Sequence, residues 1–341
     1  LWHLSVDVVN QVAIAKAGGI PPIVQLLDDG TKQAHEYAVA ALARLSTNNP
    51  ENQAQIAKKL VGLLGHPDEG AQTRSAHALW DLAENNDGAP VRIVNAGAIS
   101  PLVALLGTGS IEAKEEAVGA LTCLAHNDPS NQLAIATGLV ALLGSGTAEA
   151  QEQVTQMLIK FAQHPDNRTA IAEAGAVQRL IVQLRGGGET SLKAQELAAS
   201  VLAHLSGDSQ VHVAAIASFG GIKPLVSLLV SESTKAQARC AAVLADMTRS
   251  STEIQTTVAK EGAIDHLVNL LEPVDQAGTG GSLEGRSEAA AALWSISTTN
   301  TETTNKIAEL GAIPKIVRLL HEKDVPAQKN AAGALASLAR G

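Results

Sequence analysis

Aromatic residues make up only 2% of the 341-residue chain, so any core must be built from aliphatic and small side chains. That is the composition closely stacked helices need. Strand formers never gather into alternating runs, which removes sandwiches and barrels. Cysteine is nearly missing: Cys123 and Cys240 lie far apart inside apolar helical patterns, so no disulfide framework is expected and a reducing interior, cytoplasmic or nuclear, fits. No run of about 18 apolar residues occurs, so no integral membrane segment is expected, and residues 1–10 lack the basic start of a signal peptide. Basic residues are outnumbered, 25 Lys and Arg against 34 Asp and Glu, giving a net charge of −9. That balance argues against a nucleic-acid partner and suits a basic one. Catalytic signatures are missing too: there is no G-x-S-x-G, H-E-x-x-H, Gly-rich loop ending in Lys-Ser/Thr, or C-x-x-C. Arg185-Gly-Gly-Gly joins two helices without the Lys a phosphate needs, and Cys123 with His126 makes one pair, not a zinc site. No enzyme, cofactor or metal is expected. Asn167-Arg-Thr is a glycosylation sequon of low specificity.

What the chain has is repetition. AGGIPPIVQLL (17–27), AGAISPLVALL (96–106), AGAVQRLIVQL (174–184), FGGIKPLVSLL (219–229), EGAIDHLVNLL (261–271) and LGAIPKIVRLL (310–320) are copies of one unit. IAKKLVGLL (56–64) and IATGLVALL (135–143) are abbreviated copies. Successive copies end about 42 residues apart, the period of helical HEAT and armadillo repeats. Each unit reads as two short helices and a longer third.

Gly18, Gly97, Gly175, Gly220, Gly262 and Gly311 are expected in the left-handed conformation that turns the first helix into the second. Pro22, Pro101, Pro224 and Pro314 fall in the first turn of the second helix, and Thr31, Ser110, Thr147 and Ser191 stand where third helices begin. Residues such as Val39, Leu42 and Leu45 form the core-facing stripe. The abbreviated units lack five residues at the first turn, and residues 12–72 and 91–151 match as a duplicated long-short module that shares Asn-Gln at 52–53 and 131–132. Local curvature is expected to differ there. The insertion EPVDQAGTGGSLEG (272–285) reads as a flexible surface loop.

The pattern GxIPxLVxLL followed by AxxALxxL resembles the armadillo repeat family over essentially the whole chain. The resemblance implies an all-α, right-handed superhelical solenoid of about eight armadillo repeats plus a partial N-terminal helix. It would form a single domain, 1–341, with repeats at 10–50, 51–88, 89–129, 130–166, 167–209, 210–251, 252–301 and 302–341, and 1–9 as a partial repeat. Its third helices would line a concave groove that binds an extended peptide or protein partner, and the chain would act as a non-catalytic scaffold or adaptor.

Importin-α, a member, carries Trp and, four residues on, Asn along its third helices. The Trp row here reads Ala40, His77, Gly119, Gln156, Ser200, Ala242, Ala291 and Gly333, and the Asn row Arg44, Asp81, Cys123, Lys160, His204, Asp246, Ser295 and Ser337. Neither row keeps its residue, which sets the import-adaptor reading aside. One turn earlier stand Glu36, Glu115, Glu152 and Glu196. The expected groove contacts are therefore Glu36, Arg44, His77, Trp80, Asp81, Glu115, Glu152, Gln156, Lys160, Glu196, His204 and Asp246. Trp2, Trp80 and Trp294 share one repeat position, as ligand anchors or as packing against the next repeat. Other readings are a substrate-recruiting segment of a larger protein, such as a ubiquitin ligase, and self-association through uncapped ends.

Overall fold

A computed structural model describes residues 8–144, 148–186, 190–207, 209–275, 280–298 and 301–340. Trp2, the partial repeat before residue 8 and the expected cap Thr147 lie outside them. The described residues fall into two compact units whose boundary lies between Gly146 and Thr147. The sequence reads as one continuous array, whereas the fold divides into residues 1–146 and 147–341.

In the first unit, α1 (Val8–Lys16), α2 (Ile20–Asp29) and α3 (Lys32–Ser46) form one repeat, followed by α4 (Pro50–Leu63) and α5 (Glu69–Asn85). Next come α6 (Ala89–Asn95), α7 (Ile99–Thr108) and α8 (Ile111–Ala125), then α9 (Pro129–Leu143). The second unit opens with α10 (Ala148–Ala162), then α11 (Pro165–Glu173), α12 (Ala176–Arg185) and α13 (Leu192–Ser206). It continues with α14 (Gln210–Ser218), α15 (Ile222–Ser227) with a 3₁₀ turn at Leu228–Val230, and α16 (Thr234–Ser250). The triplets α17 (Thr252–Lys260), α18 (Ala263–Leu270), α19 (Leu283–Ser297) and α20 (Thr301–Glu309), α21 (Ala312–Leu319), α22 (Val325–Leu338) complete it.

The turn chemistry is that expected from sequence. All six repeat glycines have positive φ, from 74° at Gly311 to 84° at Gly175. Thr31, Ser110 and Ser191 accept the N–H three residues on, at Ala34, Ala113 and Ala194. Where the glycine turn is deleted, the first and second helices fuse, and α4 and α9 run unbroken through the place where other repeats bend. The expected surface loop is shorter than its sequence suggested. Ser282 accepts from Gly285 N–H and opens α19, so 283–285 are helical, while Gly281 N–H donates to Glu272 O at 2.7 Å.

Two interactions hold neighbouring layers together. Aliphatic ladders such as Leu42, Leu79 and Leu121, or Leu202, Leu244 and Leu293, are buried, each contributing roughly 2 kcal/mol. The second interaction is polar, because the last carbonyls of a third helix have no helical partner. Asn52 and Gln53 donate to Leu45 O and Ser46 O at 2.9 and 2.8 Å; Asn131 and Gln132 donate to Leu124 O and Ala125 O at 2.9 and 3.0 Å. Gln255 donates to Thr248 O, and Thr304 to Ser297 O. Asn167 is 3% exposed and donates to Phe161 O, so its sequon is part of this capping system.

Candidate functional site

The third helices of the first unit are α3, α5 and α8. Glu36 and Arg44 on α3 and Glu115 on α8 are exposed, whereas His77, Trp80 and Asp81 on α5 are partly exposed. α5 packs on α8. His77 Nδ1 lies 2.9 Å from Glu116 Oε2 across the two helices, and its Nε2 lies 3.7 Å from Asp81 Oδ2 one turn along. The Trp80 ring lies over Gly119: a Cβ placed on that glycine would come within 2.5 Å of Cδ2 and 2.7 Å of Cε2 and Cε3. Burial first, then the Glu84 charge, hold the Cys123 thiol on α8 above its ordinary range. Trp80 is thus a packing residue with a partly open surface, backed by the glycine of the following repeat.

In the second unit several expected groove acids are engaged in joining repeats. Glu152 on α10 accepts from the Ser191 hydroxyl that caps α13. Glu196 is 9% exposed and accepts from Lys193 Nζ at 2.8 Å and Ser233 Oγ at 3.0 Å, with Lys235 Nζ at 3.6 Å. Burial pushes its carboxyl up, but these partners outweigh burial and hold it below the usual glutamate range. Asp246 accepts from Ser206 Oγ at 2.7 Å and pairs with Arg249. Glu196 is accordingly corrected from an open groove contact to a buried inter-repeat joint. Gln156 and Lys160 are exposed on α10. His204 is partly exposed; burial, then the charges of Arg168 and Arg239, disfavour its protonated form.

Residues that sequence reasoning missed are those facing a neighbouring helix. Glu116 adjoins the chosen Glu115, and its 39-residue separation from His77 was the available signal. Glu288 on α19 is the other: burial first, then Asp246 and Glu284, raise its carboxyl, against Arg249 and Arg239. Trp294 on α19 repeats the Trp80 arrangement, its ring 2.5 Å from a Cβ placed on Gly333. Arg185 donates to Phe219 O at 3.0 Å, a structural role for that end of the glycine run; Gly187 and Gly188 lie outside the described residues. A cavity of about 630 Å³ opens between α17 and α20, lined mostly by first-helix residues such as Gln255, Lys260 and Glu309, with Ile264 of α18 and Ile296 of α19. Among the described residues no group of three or more His, Cys, Asp or Glu could hold a metal ion, and no single helix is long and apolar enough to cross a membrane.

Residues 7–47, 86–126 and 300–340 match the model of the armadillo/beta-catenin-like repeat. A segment of 105 residues is 35% identical to vacuolar protein 8 of Candida albicans, covering 29% of this chain and 18% of that protein. An engineered protein crystallised by the Northeast Structural Genomics Consortium superposes with a TM-score of 0.66 at 30% identity, over 99% of this chain and 82% of its own. A second engineered protein from the same consortium gives 0.51 at 26% identity, over 84% and 99%.

Proposed function

The chain belongs to the armadillo-repeat family, and on that premise we propose that it is a non-catalytic scaffold or adaptor that binds an extended, basic peptide or protein segment on its third helices. The observation that carries this reading is the α5–α8 surface of the first unit, where a partly open indole on α5, next to Asp81, lies over Gly119 of the helix that carries Glu115 and Glu116. Charge supports it: residues 1–146 hold 14 Asp and Glu against 8 Lys and Arg, net −6, while residues 147–341 hold 20 against 17, net −3. A basic segment would be steered to the first unit.

The test reverses charges that have no packing role. A Glu36→Lys, Glu115→Lys double variant and a control with Glu302→Lys and Glu309→Lys on first helix α20 are compared with wild type in affinity capture, at matched helicity. Loss of the captured partner in the first variant alone supports the reading. Equal capture by all three refutes it.

A further inference from the structure

Two tryptophans occupy the same seat in different surroundings. Trp80 lies over Gly119 and Trp294 over Gly333, each glycine 39 residues further on, and both indoles are partly exposed. Either glycine lets the ring lie against bare helix, which fixes one face and leaves the ring little freedom. The groups around the seats differ. Beside Trp80 stand Asp81, His77 paired with Glu116, and, one turn further along the same face of α5, the exposed Glu84. The corresponding positions around Trp294 are Ser295, Ala291, Asn330, Thr298 and Ser337, none of them ionisable. Asn330 turns back to bond Ser287 O and Oγ at 3.2 and 3.1 Å. Of the basic groups on α5, Arg74 is committed elsewhere, to Leu27 O, Asp28 O and Asp68.

An indole face carries negative potential and attracts a cation placed over it, and flanking carboxylates add to that attraction. A guanidinium suits the combination better than an ammonium, because its plane stacks on the ring while its N–H groups reach carboxylates at the edge. We infer that Trp80, Asp81, Glu84 and Glu116 form a subsite for one arginine side chain of the bound segment, whereas Trp294 is a packing tryptophan without charge preference. The inference rests on the third-helix binding proposed above and assigns its specificity to one repeat junction.

The full chain labelled with 5-fluorotryptophan gives ¹⁹F signals for Trp2, Trp80 and Trp294, assigned with single Trp→Phe variants. The probes are acetylated, amidated tetra-arginine, tetra-lysine and tetra-citrulline peptides at low salt. The expected result is a saturable shift of the Trp80 signal with tetra-arginine, weaker binding of tetra-lysine by about threefold or more, no response to tetra-citrulline, and a stationary Trp294. Asp81→Asn with Glu116→Gln should weaken the arginine response by about fivefold or more at unchanged helicity. Ser295→Asp with Asn330→Glu should make Trp294 respond, a gain that misfolding cannot mimic. A Trp80 signal that stays still, or that moves no more than Trp294, overturns the inference, as does a neutralised variant that binds like wild type. Charge-reversal capture decides the broader proposal separately: a partner lost with Glu36→Lys and Glu115→Lys alongside a still Trp80 leaves the surface standing and removes only the arginine subsite.

Discussion

Glycine does two unlike jobs here, and substitution separates them. Gly97 has φ +82° and nothing within 4 Å of where a Cβ would sit, so Gly97→Val meets backbone strain alone and is expected to cost about 1–3 kcal/mol. Gly97→Asn, whose side chain tolerates the left-handed region, should recover much of that in thermal unfolding. Gly119 is helical and has no such strain; Gly119→Ala would drive a methyl into the Trp80 ring, so the expected signs are lower stability and a changed tryptophan emission. Glu288 gives a pH test. Its folded carboxyl is raised above the ordinary value of 4.5, so the folded chain holds that proton more tightly than the unfolded one. Its contribution to stability is therefore greatest below 4.5 and falls as pH rises through the folded value. Glu288→Gln should unfold at the same urea concentration as wild type near pH 4 and at a higher one near pH 8; a constant difference between the two would contradict the burial assigned to the carboxyl. At this scale the sequence was legible where a residue acts on its own backbone, as at Gly97 and Ser110. It was not legible at Glu196 or Glu288, whose surroundings come from helices about 40 residues away.

Among the helices, the abbreviated repeats were read correctly as deletions at one turn, but periodicity alone could not say what replaces the turn. With the glycine gone nothing stops the first helix, and α9 continues to Leu143 through residues that elsewhere bend. Proline distinguishes the two geometries. Thr137 is exposed in the middle of α9, so Thr137→Pro should cost about 3 kcal/mol or more by removing a helical N–H bond and clashing one turn back. Ser100 lies in the first turn of α7, where Pro21 and Pro314 stand in other repeats, and Ser100→Pro should change stability by less than about 1 kcal/mol. Urea midpoints of the two variants check both numbers. The shared Asn-Gln pairs at 52–53 and 131–132 are explained at this scale as well. They cap the last carbonyls of α3 and α8, and the preceding Asn48 and Asn127 both take positive φ, so the duplicated block repeats its joints as well as its helices.

For the whole molecule, eight copies of one pattern made the fold readable, because each repeat solves the same burial problem with the same residue types. The candidate site was legible only in outline, since a binding face is what remains after inter-repeat contacts have been satisfied, and Glu152 and Glu196 are consumed by them. The residual charge carries the last prediction. A net −6 on residues 1–146 attracts a basic segment over distances that salt shortens, the screening length being about 10 Å at 0.1 M. Raising NaCl from about 50 to about 300 mM should slow association of tetra-arginine or of a captured basic partner by on the order of tenfold while changing dissociation much less. Glu36→Lys with Glu115→Lys raises the charge of the first unit by four, so the same salt series measured on that variant should be markedly flatter. The Glu302→Lys, Glu309→Lys control changes net charge equally but on α20, and stopped-flow mixing then separates a local field from the total: equal flattening by both variants would mean that only the −9 of the whole chain matters and that the first unit is not where the segment lands.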